Sequence, residues 1–246
     1  MNSALAPLAV ALTKPPPWLS SHAPLAEQIL HAADSLSVVA ALNAARSDSS
    51  LASIQFVEHS ALPAGEPYES FIARTGCVPT RENLHDLFNG LMWITYPQAK
   101  RRLNVLQAQQ IARDGASGPR GPLRDALTLF DENAAVLQAP AGLVDALRQR
   151  DWNTLFVTGR AQWQSARLAI FGHALMEKLM QPRKAVTAHV WVTEQSTDDA
   201  VASSLTPERL IAKSFLPLPV LGIPGWWPAN EEPGFYDDAE VFRPPR

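Results

Sequence analysis

Apolar residues recur with helical spacing through much of this chain. The Ala-rich segment 24–45 predicts one or two helices. The segment between Pro79 and Pro97 predicts another, with Thr80 as its N-cap, because proline cannot occupy the interior of a helix. Further helices are predicted at 98–115 (ended by Gly115), 141–152, 160–182 and 206–215 (with Thr206 as N-cap).

Shorter apolar runs predict a few strands. TAHVWVTEQ at 187–195 alternates, so that Ala188 and Val190 face the core while His189 shares the other face with Trp191. Segments 54–59 and 154–159 are weaker strand candidates. TLF and AVL around Asp131–Ala134 predict a hairpin, although such turns favour glycine after the asparagine.

The chain shows no internal repeat and no composition shift that would mark a domain boundary. We therefore expect an α+β fold, a predominantly helical single domain with a small, mostly antiparallel sheet. In this interpretation residues 1–23 are an N-terminal extension and 24–246 form the domain. The glycine-rich segment 115–122 is the expected mobile loop, and 217–246 an extended tail rich in proline and aromatic residues.

Composition narrows the class of protein. Apolar residues make up 46% of the 246 residues and charged residues 18%, which is typical of a globular protein. The formal charge of −3 disfavours binding to nucleic acid, and no apolar run is long enough to span a membrane. One cysteine, Cys77, and an N-terminus without the features of a secretory signal indicate a soluble, cytoplasmic bacterial protein.

Polar residues in the strongly apolar segment ENLHDLFNGLMW are the first candidates for functional residues. On a helix His85 and Asn89 share a face, with Asp86 beside them. A helix that is apolar nearly all round is buried, and buried polar groups must be hydrogen-bonded. These residues therefore form either a satisfied network in the core or part of a catalytic pocket.

A second group of candidates lies further along the chain. His173 and Glu177 are four residues apart, a spacing that lets a carboxylate orient an imidazole or lets both bind one ion. If His189 turns back beside His173, the three histidines supply an acid–base site or a divalent-metal site. The cofactor, if any, is then a divalent metal.

Basic and aromatic residues are candidates for contacts to a substrate. Lys100, Arg120 and Arg124 flank the glycine-rich segment and suit a phosphorylated small molecule. A solvated surface with arginines paired to nearby aspartates is the simpler and preferred interpretation. Arg81, Trp93 and Lys178 lie beside the histidine segments and complete the set of substrate-binding candidates. Asp131, Glu132 and Asn133 are interpreted as residues of a turn, where Asp and Asn are favoured because their side chains form local hydrogen bonds.

The chain contains no HExxH, GxSxG, P-loop or dinucleotide fingerprint. From about residue 54 onward, the chain resembles a proteobacterial family catalogued as domain of unknown function 3025. Five segments carry the resemblance: VPTRENLHDLFNGLMW, TLFDENAA, FGHALMEKLMQPRKAVTAH, PLPVLGIPGWW and FYDDAEVFRP. Ala134 stands where members of this family usually have glycine, directly after the asparagine of the predicted turn. The resemblance implies an intact domain and no particular activity.

Two hypotheses of function follow. The first is a hydrolase that acts on a small molecule in a pocket lined by His85, Asp86, Asn89, His173, Glu177 and His189. The alternative is a non-catalytic binding or assembly protein whose aromatic tail, including Trp226, Trp227 and Tyr236, holds a partner. The oligomeric state is left open.

Overall fold

The fold combines helices with a four-stranded sheet and a separate two-stranded sheet. The computed structural model describes residues 3–46, 54–115 and 121–244. Its strands are β1 (Gln55–Glu58), β2 (Cys77–Thr80), β3 (Ala134–Gln138), β4 (Arg167–Ile170), β5 (Thr187–Val192) and β6 (Leu216–Pro219). The larger sheet has the order β4-β3-β5-β6; β3 and β5 are parallel, and its other two pairings are antiparallel. β1 and β2 form a separate parallel pair.

Helices account for most of the described chain. They are α1 (Ala6–Leu12), α2 (Ala23–Ala33), α3 (Val38–Ala45), α4 (Tyr68–Thr75), α5 (Leu84–Thr95), α6 (Pro97–Asp114), α7 (Pro122–Asn133), α8 (Ala141–Gln149), α9 (His173–Leu179), α10 (Asp198–Ser204) and α11 (Pro207–Ile211). The predicted α+β, predominantly helical fold is confirmed. So are the strand at TAHVWV and the end of α6 at Gly115, whose φ of 81° suits a residue without a Cβ.

One continuous cluster of buried side chains forms the core, and it draws on both ends of the described chain. Leu8 and Leu19 belong to it from the N-terminal segment, and Leu218 and Phe242 from the last thirty residues. The tail is further held by Lys184, whose Nζ lies 4.5 Å from the centroid of the Phe235 ring. Trp226, Trp227 and Tyr236 pack partly buried against the same core.

The predicted hairpin at 128–137 is wrong. Residues 122–133 form α7, which runs directly into β3. Leu123, Ala126, Leu127 and Phe130 are buried at helical spacing, so the 3.6-residue period wins over the local turn preference of Asp and Asn. The side chains of Asp131 and Glu132 therefore lie on the last turn of a helix.

The predicted long helix at 160–182 is also wrong. Residues 160–165 form a 3₁₀ helix, β4 follows and pairs with β3, and α9 begins only at His173. Pairing with β3 satisfies the backbone of β4, which overrides the helical propensity of this segment. The expected strand at 154–159 is a π-helical turn, Thr154–Thr158.

Two smaller expectations need comment. Thr80 is the last residue of β2 and does not cap α5; the cap is Asn83, whose side chain accepts from the Asp86 N–H. The expected mobile loop falls mainly on 116–120, which lie outside the described residues.

Gly172 is required where α9 meets the end of α7. A Cβ at this position would lie 2.5 Å from Asn133 N and 2.5 Å from Glu132 O, both backbone atoms. We expect Gly172→Ala to lower the free energy of unfolding by about 2 kcal/mol, because two backbone segments must separate. Urea denaturation followed by circular dichroism measures it.

Gly90→Ala is the matched control for this prediction. Its Cβ would approach Leu42 Cδ1 at 2.4 Å, the flexible end of a side chain, inside a helix where alanine is favoured over glycine. An equal or smaller loss of stability in Gly172→Ala than in Gly90→Ala would contradict the close approach.

His22 is buried at the contact between the N-terminal segment and β4. Its Nε2 lies 3.1 Å from the carbonyl oxygen of Ile170, to which it donates. Burial lowers the pKa of His22 from 6.5 to about 4, an effect only partly opposed by this hydrogen bond. The folded protein therefore keeps His22 neutral while the unfolded chain takes up a proton.

This difference makes stability depend on pH. Above pH 6.5 both states are neutral at His22, and below it the unfolded state binds the proton first, so stability falls as the pH drops towards 4. We expect the loss of stability between pH 7.5 and pH 5 to be about 2 kcal/mol larger in the wild type than in His22→Gln. Equal pH profiles for the two proteins would refute it.

Candidate functional site

The N-terminal cap of α5 positions the first histidine. Asn83 Oδ1 accepts from the Asp86 N–H at 2.8 Å, and Asp86 Oδ2 accepts from the Arg81 N–H at 2.6 Å. The first bond satisfies a backbone donor that the first turn of a helix leaves free, and the second ties the preceding segment to that turn. They also fix the turn that carries His85 and Asp86.

The end of α7 and the start of α9 supply the facing side chains. Gly172 N–H donates to Ala134 O at 2.8 Å, which holds α9 against the junction of α7 and β3. Because no Cβ separates Gly172 from the backbone of Glu132 and Asn133, His173 begins its helix beside Glu132. A carboxylate from α7 and an imidazole from α9 therefore lie side by side.

His85, Glu132 and His173 converge into one cluster. Each offers a ligand atom, and these atoms all lie within 4.8 Å of one another. The two imidazole rings meet edge to face with centroids 4.6 Å apart, and His173 Nε2 lies 3.7 Å from Glu132 Oε1. Two imidazoles and one carboxylate form a donor set that divalent transition metals bind.

Two further carboxylates lie close to the histidines of the cluster. Glu177 Oε2 lies 2.9 Å from His85 Nδ1, which leaves the Nε2 of His85 for a ligand. Asp131 Oδ2 lies 3.9 Å from His173 Nδ1. A carboxylate hydrogen-bonded to an imidazole, as Glu177 is to His85, fixes the tautomer and orientation of a metal-binding histidine.

The electrostatics of the cluster suit a cation. Burial lowers the pKa of His173 to about 3, against the opposing effect of Asp131, so its imidazole is neutral and has a lone pair to offer. Burial and the charge of Asp131 raise the pKa of Glu132 above its usual value. A bound cation would favour the ionised form of that carboxyl.

A buried ion pair lies next to the cluster. The side chain of Lys100 is 4% exposed, and its Nζ donates to Asp131 Oδ1 at 2.5 Å and to Asn89 Oδ1 at 2.8 Å. Burial would raise the pKa of Asp131, but the charge and hydrogen bond of Lys100, together with His173 and His85, outweigh burial and lower that pKa below its ordinary value. Asn89 Nδ2 in turn donates to the Tyr68 hydroxyl at 2.9 Å.

The cluster opens onto a pocket of about 380 Å³. Its lining includes His59, Tyr68, Arg81, Asp86, Asn89 and Asp131 in addition to the three members of the cluster. Arg81 Nη2 lies 3.1 Å from His59 Nε2 at the edge of this pocket. The volume is that of a small-molecule site.

Many of the residues singled out from the sequence meet here. His85, Asp86, Asn89, His173 and Arg81 line the pocket, Glu177 contacts His85, and Lys100 lies beneath it. Trp93 faces Lys100, with its ring centroid 5.4 Å from Nζ, and lines a small adjoining cavity with Tyr68.

Other candidates lie elsewhere. His189 is on β5 near the Phe215 ring and is not among the lining residues of the pocket; burial, together with nearby Lys178, lowers its pKa. Lys178 donates to Asn133 Oδ1 at 2.6 Å. Arg124 is buried and its Nη1 contacts Gly115 O, whereas Arg120 lies outside the described residues.

Four residues of the site were missed from the sequence: Glu132, Asp131, Tyr68 and His59. Glu132 had a usable signal, because the helical spacing of Leu123 to Phe130 carries α7 through it and turn chemistry does not explain a glutamate. Tyr68 and His59 have no local signal, since they reach the pocket only through packing.

The fold and the cluster thus define a mainly helical α+β protein with a histidine and carboxylate site. The chain belongs to the family described as "Protein of unknown function (DUF3025)", which matches residues 54–246. Searches of curated proteins and of solved structures found no match. Within the described residues, no helix has the length and apolar character needed to cross a membrane.

Removing Lys100 is expected to destabilise the protein. Lys100→Met leaves Asp131 and Asn89 without their shared donor, and breaking such a buried pair costs about 3 kcal/mol. The free energy of unfolding from urea denaturation measures the loss. Adding Asp131→Asn should recover much of it, because the uncompensated charge is then gone.

Lys178→Met is the control, since Lys178 is exposed and its hydrogen bond to Asn133 lies at the surface. We expect a change of no more than about 0.5 kcal/mol. A loss in Lys100→Met as small as this would mean that the buried pair contributes nothing.

Proposed function

We propose that this protein is a metal-dependent hydrolase that acts on a small molecule. The observation that carries the proposal is the convergence of His85, Glu132 and His173, whose ligand atoms lie within 4.8 Å of one another at a pocket. Two histidines and one glutamate are the protein ligands of one class of catalytic zinc site, in which a fourth position is left for water or substrate.

The residues around the cluster suit this use. Glu177 holds His85 by a hydrogen bond, as expected for a group that orients a ligand, and Asp131 lies 3.9 Å from His173 Nδ1. When bound, the metal would lower the pKa of water towards neutrality and polarise the bond to be cleaved. The protein's own contribution is made by burial, which keeps His173 neutral, and by Glu177, whose hydrogen bond holds the ring of His85 in one orientation.

Asp86 is the base in this proposal. Its Oδ2 is held by the Arg81 N–H, whereas its Oδ1 accepts from none of the described residues and belongs to a pocket-lining side chain. In hydrolysis the water oxygen bonds to carbon or phosphorus while the bond to the leaving group breaks. Asp86 takes a proton from that water and passes it to the leaving group.

The size and location of the pocket favour a small-molecule substrate. A volume of about 380 Å³ lies within the range of ligand sites, and the net charge of −3 offers no footprint for nucleic acid. Arg81 is the cation at the pocket edge. We place the protein in the cytoplasm, as its single cysteine suggests.

Titration with Zn²⁺ after treatment with a chelator tests the proposal. We expect one ion per chain by isothermal titration calorimetry, and loss of this binding in His85→Ala, His173→Ala and Glu132→Gln. Glu177→Gln should weaken the affinity about 10- to 100-fold, because it removes only the support of His85.

His189→Ala is the matched control, since it removes a histidine outside the pocket and should leave zinc affinity unchanged. Equal zinc binding by wild type and Glu132→Gln would contradict the proposed ligand set. Hydrolysis is then assayed with p-nitrophenyl esters and phosphates, with and without added zinc.

A further inference from the structure

We propose that the Tyr68 hydroxyl donates a hydrogen bond to an oxyanion held in this pocket, and that the substrate therefore carries a phosphate or carboxylate oxyanion. The inference rests on the proposed function, because it places this donor in the same cavity as His85, Glu132 and His173. It assigns a role to a residue with no motif around it.

The argument begins at Lys100. An ammonium group has three donors and no acceptor, so the atom of Asn89 that faces it must be the carbonyl oxygen. Lys100 Nζ lies 2.8 Å from Asn89 Oδ1. The orientation of the Asn89 amide is therefore set by chemistry and not by a choice between two similar atoms.

The amide nitrogen of Asn89 then points to Tyr68. Asn89 Nδ2 donates to the Tyr68 oxygen at 2.9 Å, which makes the tyrosine the acceptor in this bond. The hydroxyl has one proton of its own, and no acceptor for it occurs among residues 3–46, 54–115 and 121–244. That proton is free for a ligand in the pocket.

The surroundings keep the hydroxyl protonated. Burial raises the pKa of Tyr68, and the charges of Asp86 and Asp131 raise it further. A tyrosine in this environment remains a donor throughout the physiological range. Such a donor stabilises negative charge that develops on a substrate during hydrolysis.

Arg81 adds a positive charge to the same pocket. Among the described residues its guanidinium forms no ion pair with a carboxylate, and its side chain contacts His59. Of the acidic groups that face the pocket, Asp131 is engaged by Lys100 and Glu132 belongs to the proposed metal ligand set, while Asp86 has one oxygen on a backbone N–H and keeps the other for its role as the base. Arg81 and the Tyr68 hydroxyl remain as donors for a ligand, and both favour an anion.

The test measures binding of inorganic phosphate to the zinc-loaded protein by isothermal titration calorimetry. We expect Tyr68→Phe to weaken phosphate binding about 10-fold or more, the effect of losing one hydrogen bond to a charged group, with zinc affinity unchanged. Tyr236→Phe is the matched control, because its hydroxyl donates to Gly222 O away from the pocket. It should bind phosphate like the wild type.

A second variant tests the orientation argument. In Asn89→Asp the new carboxylate accepts from Lys100 and also from the Tyr68 hydroxyl, so the proton turns away from the pocket. The loss of phosphate affinity caused by Asn89→Asp should be larger in the wild-type background than in Tyr68→Phe. Thermal denaturation of each variant shows whether it is folded.

The outcomes separate the two proposals. A wild-type protein that binds no zinc overturns the proposed function and this inference with it. A protein that binds zinc but binds no phosphate, or binds it equally well in Tyr68→Phe, overturns the inference alone. Additive effects of Asn89→Asp and Tyr68→Phe would show that Asn89 does not orient the hydroxyl.

Discussion

The buried contact between Lys100 and Asp131 is the interaction on which the arrangement of the pocket depends. It joins α6 to α7, and through Asn89 it reaches α5 as well. A charge that is 4% exposed must be matched by an acceptor of fixed position, because an unpaired ion in this environment is strongly unfavourable. The three helices are therefore held together, and Asp131 and Glu132 at the end of α7 lie beside His173.

A steric constraint acts alongside this electrostatic one. α9 can begin beside the last turn of α7 only because Gly172 has no side chain to fill the gap. The hydrogen bonds of Phe171 and Gly172 to Ala134 O tie the same point to the sheet. One glycine thus decides that an imidazole from α9 and a carboxylate from α7 face the same cavity as His85.

Part of the site was predictable, and the reason differs from residue to residue. His85, Asp86 and Asn89 stood out as polar residues on an apolar helix, and His173 with Glu177 through helical spacing. His189 was included because a tight return after a long helix was expected to bring its strand back beside His173. In the structure β5 pairs with β3 and β6, and His189 lies near the Phe215 ring and does not line the pocket. Glu132 was missed because a helix end was interpreted as a turn.

By itself the sequence determined the class of fold, the position of α5, α6 and the strand at TAHVWV, and which polar residues needed partners. These features follow from periodicity, proline and glycine positions, and the cost of burying polar groups, all of which act over a few residues. Only the tertiary structure decided that Glu177 supports His85, that Glu132 joins the histidines, and that Tyr68 reaches the pocket. Each depends on contacts between residues far apart in the chain, and local spacing carries no information about them.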